Sequence, residues 1–311
     1  MKGIRIGTRG SDLALTQARD IKSRLELLGE SATIEIIRTA GDADQKRPFA
    51  QVGAPGLFVR EIENALIDGR IDVGVHCYKD LPSDSPQELL IAAMPEREDA
   101  RDRLLICKEA YDEKAQGLPL VQGSRVGTAS ARREALVRDL RPDLSTVHLR
   151  GNVPTRVTKL RSNDYDAVLL ASAGLKRLER AAERGESDSI DIEDLIHLDL
   201  DPTMFVPAPS QGALALQVRA SDEESRTIVA QLDDAEPHRA VRAERELLGL
   251  VDAGCQVPFG AYCTILADGS LELIAALEVE GAMRRTQQCG DDPVQIAQAA
   301  FKILLPERTA K

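Results

Sequence analysis

The chain has 311 residues, long enough for two or three domains with sizeable cores, and its 43% hydrophobic and 29% charged residues suit a folded soluble protein. A net charge of −11 argues against general nucleic-acid binding, which needs a basic face, and no apolar run approaches membrane-spanning length. The start enters a strand with no signal-like apolar segment, and the five cysteines and four scattered histidines show no metal-ligand spacing, so a cytoplasmic chain with reduced thiols and no metal is expected.

Ile4–Gly7 reads as a short strand, followed by Thr8, Arg9, Gly10 and Ser11. Asp12 opens a helix on which Ala14, Ala18, Ile21, Leu25 and Leu28 recur every three or four residues, and Gly29 stops it. Thr33–Arg38 is a second strand. Residues 39–56 show no period, and so long a connection in a compact domain is a functional lid or a disordered segment. Leu57–Asp68 is a helix. Ile71, Val73 and Val75 then form a strand between Gly69 and Pro82. At its tip the apolar pattern stops, and His76, Cys77, Tyr78, Lys79 and Asp80 follow at once. Ligands sit at the carboxyl ends of strands in open α/β sheets, so this cluster is a site candidate with Asp80 at its centre. The plainer reading is a solvated turn with an exposed Lys79–Asp80 pair.

A second lobe begins near Arg103. Ser124–Gly127 is a strand and Thr128–Arg138 a helix, so that VGTASA (126–131) repeats IGTRGS (6–11), and YDAVLL (165–170) repeats IDVGV (71–75). Two related α/β lobes facing each other across a ligand cleft are expected. After Asp199, a stretch with several Pro and Gly residues precedes another strand and reads as a return crossing into the first lobe. From Ser221 onward two charged amphipathic helices precede strands at Pro258–Leu266, Leu271–Glu278 and Met283–Gln288, with a last helix at Pro293–Leu304. That is a small antiparallel sheet backed by helices.

Two features point to chemistry. Between Gly123 and Arg156 there are seven arginines (Arg125, Arg132, Arg133, Arg138, Arg141, Arg150, Arg156) against three acids (Glu134, Asp139, Asp143), in a chain that is otherwise acidic. The planar arginine fork grips carboxylates and phosphates bidentately. Arg138 and Arg141 read as solvated helix-end charges, and the other five as an anion pocket. The second feature is DAGCQVPFG (252–260), where Cys255 sits in a Gly-flanked loop and could attack an electrophile or carry a covalent group. Cys107, Cys263 and Cys289 read as small buried hydrophobes.

In chain order, the segments IGTRGSDLALTQA, GLFVREIENAL, DVGVHCYKDLP, EREDARD, VGTASARR, LRGNVPTR, YDAVLLASAGLKRL, PAPSQGAL and GCQVPFG resemble the porphobilinogen deaminase (hydroxymethylbilane synthase) family. The likeness runs from about residue 4 to residue 265, and only the last strands and helix are generic. It implies an α/β fold of three domains. Residues 1–99 with 200–219, and 100–199, would be two lobes like those of type II periplasmic binding proteins, with a cleft between them. Residues 220–311 would be a small α+β domain with a three-stranded antiparallel sheet and the cysteine loop.

The implied activity is a transferase of tetrapyrrole (heme and chlorophyll) biosynthesis. It condenses four porphobilinogen molecules head to tail with loss of ammonia, then releases hydroxymethylbilane by hydrolysis. A dipyrromethane cofactor, held by a thioether on Cys255, primes the growing oligopyrrole. Asp80 matches the catalytic carboxylate. Arg9, Ser11, Lys79, Thr128, Ser130, Arg132, Arg133, Arg150, Arg156, Arg177 and Gln211 match positions that bind cofactor or substrate, with Gln17 and Phe58 at the lid or cleft. Each pyrrole brings an acetate and a propionate, which arginines would hold. Loss of ammonia leaves a cationic azafulvene, and a carboxylate aimed at pyrrole N–H groups stabilises charge where it develops. A monomer is expected, with no nucleic acid or membrane partner and hand-over of product to uroporphyrinogen-III synthase. The chain departs from the family pattern at Cys77, Ala129 and Ser210, and at Gln51 and Pro55 in the 39–56 segment. These departures concern lid contacts and rate. The alternative is a non-catalytic oligopyrrole or small-anion binding protein on the same fold.

Overall fold

The computed structural model describes residues 3–38, 59–162, 164–252 and 257–309. The expectations for the 39–56 segment with Gln51 and Pro55, for Phe58 and for Cys255 lie outside these residues.

The first sheet holds β1 (Ile4–Thr8), β2 (Ala32–Ile36), β3 (Val73–Cys77), β4 (Leu89–Ala93) and β10 (Leu214–Arg219), in the order β2-β1-β3-β10-β4. The second holds β5 (Asp102–Ile106), β6 (Arg125–Thr128), β7 (Ser145–His148), β8 (Ala167–Ala171) and β9 (Ile196–Asp199), in the order β7-β6-β8-β5-β9. In each sheet four strands run in one direction, and the strand in the fourth position is antiparallel to both of its neighbours. The fourth strand is delivered each time from the other lobe: β5 follows β4, and β10 follows β9. The return crossing expected after Asp199 is therefore present.

Local sequence explains the repeat. Helix α1 (Asp12–Leu27) follows β1 and buries Ala18, Ile21 and Leu25 on one stripe, while Gly29, with φ +87°, ends it. Helix α2 (Arg60–Ile67) precedes β3 and buries Ile62, Ala65 and Leu66. In the second lobe α3 (Ala131–Leu140) follows β6, and α4 (Val153–Arg161) precedes β8. Each fully buried Ile or Leu on these faces contributes about 1.5–3 kcal/mol. After β8 the chain continues into α5 (Ser172–Glu183), whereas after β3 only one 3₁₀ turn forms, Tyr78–Asp80. Pro82 and Pro86 lie where the next turns would run, and proline cannot donate to a helix interior.

Several elements were not legible beforehand. Strands β7 and β9 are exposed or half-buried edge strands of only four residues, β7 without apolar alternation, and α4 reads VPTRVTKLR. The two crossings are laced together: Glu98 N donates to the Gly212 carbonyl at 3.1 Å. Gly212 has φ +90°, and a Cβ there would lie 2.1 Å from the Glu98 carbonyl oxygen, so only glycine fits.

Helices α6 (Glu223–Ala230) and α7 (Ala235–Val251) lead to a third sheet, β11 (Phe259–Ile265), β12 (Leu271–Val279) and β13 (Ala282–Gly290), antiparallel in that order. One face of β12 (Leu271, Leu273, Ala275, Leu277) packs on α7 and on α8 (Pro293–Leu304). The opposite face (Ile274, Ala276) joins Tyr262 and Met283 in the core of the second lobe. Glu244 on α7 is fully buried and ties this unit to both crossings. It accepts from both terminal nitrogens of Arg97 (2.8 and 3.1 Å), from Ser210 N (2.6 Å) and from Cys263 N (2.7 Å).

Candidate active site

The repeated Gly-Thr segments place equivalent groups in the two lobes. Thr8 and Thr128 are fully buried at the ends of β1 and β6. Ser11 caps α1, accepting from Ala14 N at 3.4 Å, and Ser130 caps α3, accepting from Arg133 N at 3.5 Å. Arg9 lies half-buried just before the first cap, and Ala129 half-buried just before the second. The lobes touch where Leu13 on α1 approaches Gly174 on α5.

The turn Tyr78–Asp80 projects from the carboxyl end of β3. Asp80 is exposed, and among the described residues its carboxylate makes no hydrogen bond or ion pair. Lys79 turns inward instead. Its Nζ donates to Gln211 Oε1 at 3.1 Å, and burial pulls its pKa down, opposed by Asp80 and assisted by Arg133. The solvated Lys–Asp pair is thus not formed, because the one-turn helix sends the two side chains in different directions. Cys77 shares its thiol with the amide of the buried Gln17 (Nε2 to Sγ 3.3 Å), and burial pushes that thiol up, keeping it protonated. Gln17 and Arg177 line a cavity of about 80 Å³ between α1 and α5.

Gln211 connects the turn to the arginines. Its Nε2 donates to the Ala100 carbonyl (2.7 Å) and to Asp102 Oδ1 (3.2 Å), which leaves Oε1 for Lys79. Asp102, fully buried, receives Arg132 Nη1 on Oδ2 (2.7 Å) and Arg133 Nη2 on Oδ1 (2.6 Å). The paired guanidiniums hold its pKa far below the usual carboxylate range against the cost of burial. Arg132 also donates to the Val206 carbonyl (2.7 Å), and Arg133 to that of Leu169 (2.9 Å).

The arginine segment therefore divides. Arg125 is exposed at the start of β6 and bridges Asp166 (3.2 Å), so it faces away from the strand ends. Arg138 is an exposed helix-end charge that bridges Glu278 of the third sheet, whereas Arg141 is not a solvated charge: it bridges Asp143 (2.6 Å) and donates to two carbonyls, of Leu118 and Leu120. Arg132 and Arg133 share the buried carboxylate of Asp102, an acid outside the 123–156 window that balances one of their two charges. Arg156 is different. It is half-buried, donates to the Gly151 carbonyl (2.8 Å), and is depressed to about 10 by burial and by the charges of Arg133 and Arg150. Arg150 lies half-buried between β7 and α4, and Arg177 on α5 donates to the Gly212 carbonyl (2.6 Å). Arg133, Arg150 and Arg156 thus crowd one another, while Arg177 faces Asp20 and Glu96, and such a crowd of cations suits a ligand bearing several carboxylates, as a dipyrromethane does.

The sequence reading missed Asp102, Arg97 and Glu244. The first two sit in the EREDARD segment, where a run of mixed charges looks like solvated surface. Among the described residues no group of His, Cys, Asp and Glu could hold a metal, and no helix is long and apolar enough to cross a membrane.

Comparison with known proteins identifies the family. Residues 4–227 match the family model described as porphobilinogen deaminase, dipyromethane cofactor binding domain, and residues 238–305 match porphobilinogen deaminase, C-terminal domain. The chain is 41% identical over 290 residues to the porphobilinogen deaminase of Syntrophobacter fumaroxidans, covering 91% of this chain and 88% of that one. It is 43% identical over 281 residues to that of Syntrophotalea carbinolica, covering 89% and 84%. With that of an Exiguobacterium species the identity is 40% over 309 residues, covering 98% and 96%. The chain belongs to the porphobilinogen deaminase family, whose members build tetrapyrrole precursors on a dipyrromethane cofactor.

Proposed function

We propose that the chain condenses four porphobilinogen molecules head to tail with loss of ammonia and releases hydroxymethylbilane by hydrolysis, with Asp80 as the reacting carboxylate. The observation that carries this reading is the hydrogen-bonded line from the Asp80 turn to the arginine helix. Asp80 makes no hydrogen bond or ion pair among the described residues, and its neighbour Lys79 is joined through Gln211 to Asp102, Arg132 and Arg133. Loss of ammonia from porphobilinogen leaves a cation. A fixed carboxylate stabilises that charge as it develops and takes the proton lost in coupling. Arg150 and Arg156 bind the acetate and propionate groups, with Arg9, Arg177 and the capped turns at Ser11 and Ser130 orienting the chain. When bound, the dipyrromethane supplies a free pyrrole carbon from which the chain grows, and Cys255 is its attachment point. The net charge of −11 suits a cytoplasmic monomer with no nucleic-acid partner.

The test is an intact-mass spectrum of denatured protein with a turnover assay on the same sample. Wild type should be heavier than its sequence by two deaminated porphobilinogen units. Cys255→Ala should lose that mass, while alanine at Cys77, Cys107, Cys263 or Cys289 should keep it. An unmodified Cys255 in protein expressed with ample porphobilinogen would favour a non-catalytic binder.

A further inference from the structure

Helix α7 ends at Val251, four residues before Cys255 in the sequence, and it also reaches the turn that carries Asp80. Arg245 on this helix donates from Nη1 to the Leu81 carbonyl at 2.9 Å and from Nη2 to the Pro82 carbonyl. Its guanidinium lies 4.8 Å from the centroid of the Tyr78 ring. These contacts fall on both sides of Asp80, since Tyr78 opens the 3₁₀ turn and Leu81 and Pro82 leave it. Among the described residues, backbone bonds also run from Tyr78 N to the Ala213 carbonyl (3.0 Å) and from Leu81 N to the Tyr78 carbonyl (3.2 Å). Asp80 itself is anchored by no described side chain, so the backbone alone aims its carboxylate.

We propose that Arg245 is a positioning residue for Asp80, clamping the 78–82 turn and linking its geometry to the helix that leads to Cys255. This rests on the reading of Asp80 as the reacting carboxylate. A planar fork spans two successive carbonyls while its face covers an aromatic ring; a lysine reaches one carbonyl at a time. Among the described residues no contact of Arg245 touches the arginine cluster, so its loss should leave substrate affinity intact and degrade only the aim of Asp80.

The test uses holoenzyme whose cofactor load is checked by intact mass, with kcat and KM for porphobilinogen consumption and a melting curve. The variants are Arg245→Gln, Arg245→Lys, Asp80→Asn and the double variant Arg245→Gln/Asp80→Asn. Arg245→Gln should lower kcat on the order of 10- to 100-fold with KM nearly unchanged, as expected for misplacement of a reacting group. It should add almost nothing to the loss already present in Asp80→Asn, and Arg245→Lys should fall between wild type and Arg245→Gln. Equal losses in both backgrounds, or normal kcat in folded Arg245→Gln, would overturn the positioning role while leaving Asp80 in place. Normal turnover in Asp80→Asn alone would overturn both readings. If Arg245→Gln melts below the assay temperature, Arg245→Lys, alone and with Asp80→Asn, carries the same comparison.

Discussion

At the scale of single residues, the site depends on two neighbours with opposite surroundings. Asp80 is exposed and makes no hydrogen bond or ion pair among the described residues, whereas Lys79 is drawn inward to Gln211. Replacing Asp80 by Asn keeps the shape and removes the charge. Turnover measured as ammonia release should fall on the order of 10²–10³ while the melting curve stays put. Four residues earlier, His76 is buried against Gln217, and its Nε2 has no partner among the described residues. Burial pushes it down to about 4 from an ordinary 6.5. The unfolded chain therefore takes up a proton at a pH where the folded chain does not. This contribution to stability is complete above pH 6.5 and is lost as pH falls toward 4, by about 3 kcal/mol in all. Unfolding in denaturant at stepped pH should show wild type losing stability relative to His76→Gln across that window. Parallel curves would mean that the imidazole is accessible to protons in the folded state.

At the scale of elements, the two crossings decide how the lobes meet. Ser210 holds φ 63°, a left-handed conformation that favours glycine, and its Oγ is buried without a partner among the described residues. Its backbone N is committed to Glu244, so the strain cannot relax by turning the peptide. Ser210→Gly should raise stability by about 1 kcal/mol, read as a higher melting point, with activity retained. Two residues on, Gly212→Ala should do the reverse and cost on the order of 3 kcal/mol, because the added Cβ meets the Glu98 carbonyl in a left-handed backbone. A melting point unchanged in Gly212→Ala would mean that the crossings separate easily.

At the scale of the whole molecule, one buried network joins the turn of the first lobe to the helices of the second. Lys79, Gln211, Asp102, Arg132 and Arg133 form a continuous chain through a crossing. The arginines should therefore separate by phenotype. Arg132→Leu breaks a buried pair and should cost about 3–5 kcal/mol of stability, seen in apo-protein as well as holo-protein. Arg156→Leu removes a cation crowded by two others and should leave apo-protein as stable as wild type or more so, while cofactor assembly fails in the intact-mass spectrum. The same melting change in both variants would dissolve the distinction between structural and ligand-binding arginines.

The sequence by itself determined the fold class, the internal repeat and the family, because helix stripes, buried strands and Gly-Thr turns are local patterns written along the chain. It also picked out the strand tip at Asp80, where apolar residues give way at once to polar ones. Tertiary structure alone decided which charges were already spent. Asp102 is 21 residues before the arginine segment begins, yet pairing of β5 with β8 brings it beneath Arg132 and Arg133. The β4–β5 crossing likewise brings Arg97 onto Glu244, 147 residues away. A count of charges within a window cannot see such pairs, because in a folded chain a charge is neutralised by its neighbours in space rather than in sequence.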